Sequence, residues 1–201
     1  MQPILTAKSI AETTVRLPPP RLDAGLPFMQ ALKRRHTSRE FGARALDGPT
    51  LADLLWAAWG INRPASGLRT APSARDWQEI DLYVALPAGA YRYDAAHHEL
   101  HLVTPGDHRA ATGVQEFVAT AALNLVYVAD YASMTDAPEK DRVFYSALDA
   151  GFIAQNVYLF CASAGLACVV RGLVDRPALA SVLSLGPEQH IIVGQSVGYP
   201  A

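Results

Sequence analysis

Arg34-Arg35-His36-Thr37-Ser38-Arg39-Glu40-Phe41 places three arginines, a histidine and two hydroxyls within its first six residues. It follows an apolar segment carrying Leu26, Phe28, Met29 and Leu32. A cluster of this kind at the end of a helix is suited to a phosphate group. Arginine forks make bidentate, charge-assisted bonds to phosphate oxygens, and hydroxyls add neutral ones. The chain carries no Walker or Rossmann glycine pattern, so an anionic ligand held by this cluster is the natural entry point to function. The plain alternative for Arg35 and Arg39 is surface solvation or a salt bridge to Glu40, and Arg34 reads as a solvated neighbour.

The cluster stands out because the chain around it is nearly neutral. Its 201 residues are 50% hydrophobic, with a formal net charge of −2. That length and apolar content suit one well-buried core. The charge balance gives no global attraction to nucleic acid or to an anionic membrane, so neither is expected as a partner. Cys161 and Cys168 fall in apolar runs and read as buried free thiols. No apolar run approaches the roughly 18 residues of a membrane helix. Met1 to Thr14 lacks the charged start and apolar middle of a signal peptide, so a cytoplasmic protein is expected.

Along the chain, residues 1–24 read as an extended arm, with Leu17-Pro18-Pro19-Pro20 excluding helix. Such an arm packs on a partner subunit or remains a tail. Residues 25–201 read as a single domain. A helix is expected over 25–36, with Leu26, Met29 and Leu32 on one side. Thr50-x-x-Asp53 matches a capping box, and Leu51, Leu54, Leu55, Ala58 and Trp59 form a core-facing stripe that ends at Gly60. Residues 62–75, rich in Gly, Pro, Ser and Arg, read as a loop. Strands are expected over 80–86, 90–94, 99–103, 121–129, 166–170 and 191–197, with helices over 107–118 and 176–184. The longest helix spans 138–164, with Phe144, Leu148 and Phe152 near one face and alanines on others. A helix apolar nearly all round is buried centrally or in a subunit interface, and Gly165 suits its C-cap. The pattern is α+β.

A second polar cluster, Arg69-Thr70-Ala71-Pro72-Ser73-Ala74-Arg75-Asp76-Trp77-Gln78, lies in a loop feeding a strand, where ligand contacts concentrate. Together these segments resemble the nitroreductase family of FMN-dependent oxidoreductases. Residues 35–41 look like its opening Arg-Arg/His-Ser-x-Arg/Lys-x-Phe signature. Leu54 to Arg63 resembles its next helix. Pro72-Ser73 followed by Gln78 is similar to its Pro-Ser-x-x-Asn-x-Gln loop. Asp149 to Leu159, running to Gly165-Leu166, resembles its central helix, and Gly194 to Pro200 its closing strand. The five segments occur in the family's order over nearly the whole chain.

The resemblance implies a nitroreductase-like α+β fold: a mostly antiparallel sheet flanked by helices, in an intertwined homodimer with two interfacial FMN sites. Carried over residue by residue, Arg35, His36, Thr37 and Arg39 hold the FMN phosphate and ribityl chain, while Pro72 and Ser73 approach the same flavin from the partner subunit. Asp76 and Gln78 belong to that loop. Asp76 stands where the family often has Asn; its carboxylate can accept from flavin N3–H but cannot donate to a carbonyl. Val169-Val170-Arg171-Gly172 would pass near the isoalloxazine ring, which adds Arg171 and Gly172 to the cofactor-binding set. Arg171 is then the candidate for tuning the flavin near N1–C2. With no basic residue after Tyr199, the 35–39 cluster is expected to carry more of the phosphate binding than is usual in the family. The implied chemistry is flavin-borne and needs no acid–base triad. NADH or NADPH is the donor, and a nitroaromatic, quinone or enone is the acceptor in a ping-pong cycle.

Two other readings stay open: a peptide azoline dehydrogenase, which the Trp56 to Arg63 and Arg69 to Ser73 segments also resemble, and a flavin-binding protein without turnover. His97-His98-x-x-His101 suggests a metal only weakly. No carboxylate or cysteine is evident to complete a site, and the histidines read as solvated.

Overall fold

The structure, a computed structural model, describes residues 13–201; the first twelve residues of the expected arm lie outside it. Seven strands form one antiparallel sheet: β1 (Thr14–Arg16), β4 (Ile80–Leu86), β5 (Gly89–Asp94), β6 (Glu99–Pro105), β7 (Leu123–Asp130), β8 (Ala167–Arg171) and β9 (Gln189–Gly198). Their order is β1-β6-β5-β4-β7-β9-β8. Helices cover both faces: α1 (Phe28–Arg34), α2 (Gly48–Trp59), α3 (Phe117–Thr120), α4 (Glu139–Ala164) and α5 (Arg176–Val182). This is the α+β arrangement expected.

Strand periodicity divides the core. Leu82, Val84 and Leu86 of β4, with Leu123, Leu125 and Tyr127 of β7, face α2 and α4. Tyr83, Val126 and Val128 face the opposite way, onto Leu179 and Leu183 near α5. Successive strand side chains point to opposite faces, so a central strand covered on both sides is apolar throughout. That is why 121–129 reads as a dense run rather than an alternating one.

Several local expectations change. The α2 cap is Asp47, whose carboxylate accepts from the Thr50 amide at 2.8 Å, and not Thr50. Proline is tolerated in the first helical turn, where its missing N–H is not needed, so the helix begins before Thr50 and takes in Pro49. Asp53 is thereby released from capping and turns inward. It binds the Arg21 amide at 2.8 Å and the Arg21 Nε at 2.7 Å. The described part of the arm thus lies along its own chain: Val15 pairs with Leu100 in β6, the Leu17 amide reaches the His98 carbonyl, and Arg21 anchors on α2. The 62–75 loop contains a short hairpin, β2 (Ile61–Arg63) with β3 (Leu68–Arg69). The helix expected over 107–118 is two short pieces, a 3-10 turn at Arg109–Thr112 and then α3, interrupted at Gly113.

α4 buries one face only. Ser146, Asp149, Ala150, Ile153, Val157 and Cys161 point into the chain, while Phe144, Leu148 and Phe152 are exposed. α1 packs beside it with Phe28, Met29 and Leu32 also exposed. No helix among the described residues is long and apolar enough to cross a membrane.

Candidate functional site

The arginine cluster is an extended segment laid along the sheet's edge. The Arg35 amide closes α1 on the Ala31 carbonyl, and the Ser38 amide then pairs with the Cys168 carbonyl of β8 at 3.0 Å. Gly42 N–H reaches the Tyr199 carbonyl at 2.9 Å. This pinning presents the intervening side chains in a fixed order. Thr37 Oγ1 lies 3.2 Å from the Tyr158 hydroxyl, which accepts from the Val170 amide at 2.9 Å. The Arg35 guanidinium sits 5.4 Å from the centre of the Tyr158 ring. His36 Nδ1 donates to the Arg34 carbonyl at 2.8 Å. Among the described residues, Arg34, Arg35 and Arg39 form no ion pair with any carboxylate. Arg34, His36 and Ser38 border a cavity of about 330 Å³ with Cys161, Leu166 and Pro200. Arg34, expected to be a solvated neighbour, thus borders the cavity, and Tyr158 joins the cluster without a mark in the sequence. A tyrosine on the α4 stripe reads as core from its spacing alone.

The second cluster gathers around a smaller cavity of about 210 Å³, lined by Trp59, Arg63, Arg69, Pro72, Asp76 and Gln78 among others. Its backbone is unusual. Arg75 (φ 51°), Asp76 (φ 56°) and Gln78 (φ 48°) all adopt left-handed conformations, although none is glycine. Such conformations cost on the order of 1 kcal/mol or more each and persist only where the surroundings over-determine them. Here the surroundings do so. The Ala74 amide donates to Asp149 Oδ2 at 2.8 Å, and the Gln78 amide to Ser73 Oγ at 2.9 Å. Ser73 Oγ donates in turn to Glu79 Oε2 at 3.3 Å. Gln78 Oε1 accepts from Arg69 Nε at 2.7 Å, and Gln78 Nε2 donates to Asp76 Oδ1 at 2.8 Å. Burial lowers the pKa of Arg69 from its usual value; its guanidinium lies 4.6 Å from the Trp59 ring centre.

Glu79 and Asp149 are the residues that sequence reasoning missed. The available signal was an acidic side chain on the buried stripe of α4, between Ser146 and Ile153, and a carboxylate immediately before the mostly apolar strand β4.

Arg171 does not project toward either cavity. It is 5% exposed and turned into the sheet. Its Nε donates to Ser196 Oγ at 3.1 Å, and its terminal nitrogens donate to the Thr112 carbonyl, Thr112 Oγ1 and Asn124 Oδ1. Burial pulls its pKa down to about 10. The donors expected to reach a flavin are therefore engaged inside the chain. Gly172, just past β8, is exposed.

The two clusters do not share a cavity within one chain. Both lean on α4 but at different heights: Thr37 meets Tyr158, whereas Ala74 meets Asp149. Nine residues of helix separate these stations, about 13 Å along the axis at 1.5 Å per residue.

The histidine run has structural partners. His97 Nδ1 lies 2.7 Å and His101 Nε2 3.3 Å from Asp94 Oδ2, the carboxylate that the sequence reading did not connect to them. His98 bridges Tyr93 and the Pro18 carbonyl.

The family model described as the nitroreductase family matches residues 32–199. A candidate nitroreductase from Methanocaldococcus jannaschii is 29% identical over 181 residues, 82% of this chain and 90% of that protein. The crystal structure of a candidate nitroreductase from Ralstonia eutropha superposes with a TM-score of 0.91 at 45% identity, covering 100% of this chain and 94% of that one. The NADPH:FMN oxidoreductase of Vibrio harveyi, solved with NAD+, shares the fold at a TM-score of 0.65 and 19% identity, over 86% of this chain and 68% of that one.

Proposed function

Because this chain belongs to the nitroreductase family of oxidoreductases, we propose that it binds FMN between two subunits and couples NADH or NADPH oxidation to reduction of a small electron-poor acceptor. The observation that carries the cofactor is the donor set at 35–39. Arg35 and Arg39 make no ion pair among the described residues, and the Thr37 hydroxyl is exposed beside them. Unneutralised guanidinium groups beside a hydroxyl fit a phosphate dianion, which takes bidentate N–H donors and hydroxyl donors together. Arg35, His36, Thr37 and Arg39 would hold the phosphate end and the ribityl chain.

The ring end would be met by the Pro72–Gln78 loop of the other subunit. Support comes from the separation of the two clusters along α4 and from the exposed apolar face of α1 and α4, which gives a second copy a surface to cover. When bound, FMN supplies hydride exchange between NAD(P)H and an acceptor such as a nitroaromatic, quinone or enone. The protein's part is positional. Ser73 and Ala74 are fixed by buried carboxylates, Arg69 holds Gln78, and Asp76 would offer the flavin an acceptor rather than a donor. Arg171 serves the site indirectly, by fixing β8 against β9 beneath the Ser38 segment.

The test is anaerobic reduction of the FMN-loaded protein by NADH and by NADPH, followed through the visible flavin absorption. Bleaching by either nucleotide, and recovery with a quinone, is the expected result. A loaded protein that neither nucleotide reduces would sink the reductase reading and favour the peptide azoline dehydrogenase or a flavin-binding role.

A further inference from the structure

Beneath the Pro72–Gln78 loop, Glu79 at the head of β4 and Asp149 on α4 are each only 1% exposed. Neither has an ion-pair partner among the described residues. Each carboxyl group spends one oxygen on the loop: Glu79 Oε2 accepts from Ser73 Oγ, and Asp149 Oδ2 accepts from the Ala74 amide. The second oxygen of each, Glu79 Oε1 and Asp149 Oδ1, is buried and has no donor. The two carboxyl groups hold consecutive residues of one loop, which sets them side by side beneath it. Two ionised carboxylates cannot occupy such a place together without a cation. A proton on either one turns it into a donor to the other and satisfies both orphan oxygens.

We propose that Glu79 and Asp149 share one proton as a buried carboxyl–carboxylate pair, and that this pair positions the strained Pro72–Gln78 loop, so that FMN binding weakens at alkaline pH. The FMN part rests on the cofactor reading above; the shared proton does not. The pair stands where strain is concentrated. Three left-handed residues follow Ser73 and Ala74 within five positions, and those two are the residues the carboxyl groups hold.

The surroundings of the pair contain few other titratable groups. Ser146, on the buried face of α4, donates to Met134 Sδ, and the Glu79 charge acts on Tyr131, in the turn after β7. Arg142 lies beyond Tyr131, 5.9 Å from its ring centre, and donates to the Ala137 carbonyl. Trp77 closes the loop side, packed edge-on against Tyr145. Burial is the main cause raising both carboxyl groups above their usual values of 4.5 and 3.8, and the Asp149 charge adds to the rise at Glu79. A carboxyl raised on folding holds its stabilising effect below the unfolded value and loses it as pH climbs through the folded one. The second proton loss therefore places two anions under the loop and loosens it.

The experiment is a pH titration of the FMN-free protein by NMR, following side-chain carboxyl carbons and the Ala74 amide together. The expected result is that the Glu79 and Asp149 carbons titrate as a linked pair, one of them well above the ordinary carboxylate range, with the Ala74 amide shifting in step. Glu79→Gln supplies a permanent amide donor to Asp149 and should abolish both changes. Asp149→Asn serves the same purpose from the other side should the first variant fold poorly. In the FMN arm, the dissociation constant of the unaltered protein should rise about tenfold between about pH 7 and about pH 9, and that of Glu79→Gln less than about twofold. Independent titration of the two carbons at ordinary values overturns the shared proton. An Ala74 amide or an FMN affinity that ignores the titration overturns the positioning role. A protein that binds no FMN at any pH overturns the cofactor reading while the NMR result still judges the pair.

Discussion

Arg35 and Arg171 differ in what surrounds their guanidinium groups. Arg171 is surrounded by acceptors of its own chain, at Thr112, Asn124 and Ser196, and is fully engaged. Its space is fixed as tightly as its bonds: a Cβ on Gly194 would stand 2.8 Å from one of its terminal nitrogens. Among the described residues, Arg35 has the face of the Tyr158 ring and no carboxylate. An arginine so placed has charged N–H donors to spare, and its loss removes binding without leaving a buried acceptor unsatisfied. Arg35→Ala should therefore weaken FMN binding by about 1.5–3 kcal/mol, the usual worth of a hydrogen bond to a charged group, with little change in melting temperature. Equilibrium titration of FMN fluorescence against the two proteins measures the first quantity, and an unchanged dissociation constant would contradict the phosphate role. Arg171→Met should do the reverse, lowering the melting temperature by stranding the Thr112 and Asn124 acceptors.

Among the elements, the β5–β6 hairpin and its attachment to β1 show how local chemistry secures an edge. Asp94 at the end of β5 is raised somewhat by burial, but donors from His97, Ala96 and His101 outweigh this and hold its carboxyl at about 2. His97 is raised above its usual value by the same contact. The depressed Asp94 contributes stability that is present above its ordinary value of 3.8 and is lost as pH falls toward about 2. The raised His97 contributes most below 6.5 and loses its share as pH rises through its elevated value. Asp94→Asn should therefore flatten the acid limb of the stability curve, which thermal melts between about pH 2 and pH 7 will register. A parallel acid limb in the variant would place that sensitivity elsewhere. The elements themselves were largely legible from pattern, because β4 and β7 are dense apolar runs, α2 carries a core-facing stripe and α4 is a long apolar stretch closed by Gly165. What was not legible depended on contacts remote in sequence. Asp47 displaced Thr50 as a cap because Pro49 suits the first helical turn, and Asp53 was then drawn to Arg21, thirty-two residues away. The Asp94 bonds to His97 and His101 needed the hairpin register, which no spacing rule supplied.

At the scale of the whole molecule, the fold leaves an apolar surface that nothing among the described residues covers. The inner stripe of α4 completes the core, yet Phe144, Leu148 and Phe152 continue along its outer side at four-residue intervals. Phe28, Met29 and Leu32 extend the patch onto α1. A helix apolar nearly all round can lie in a core or in an interface, which is why the sequence alone left that choice open; the chain's own packing fills only half of it. The site shows the same incompleteness, since its two clusters meet α4 about 13 Å apart along the axis and face different cavities. A second copy resting on this surface would address both deficiencies, covering the aromatic stripe and bringing one chain's Pro72 loop toward the other's Arg35 segment. The double substitution Leu148→Glu with Phe152→Glu should then yield a monomer by light scattering, because four like charges would face each other across a two-fold interface. Both side chains point outward, so the monomer should keep its secondary structure. It should also lose FMN binding, although neither residue belongs to the cluster that takes the phosphate. A variant that stays dimeric would locate the interface on another face, and a monomer that binds FMN as tightly as the parent would show that one chain builds the whole site.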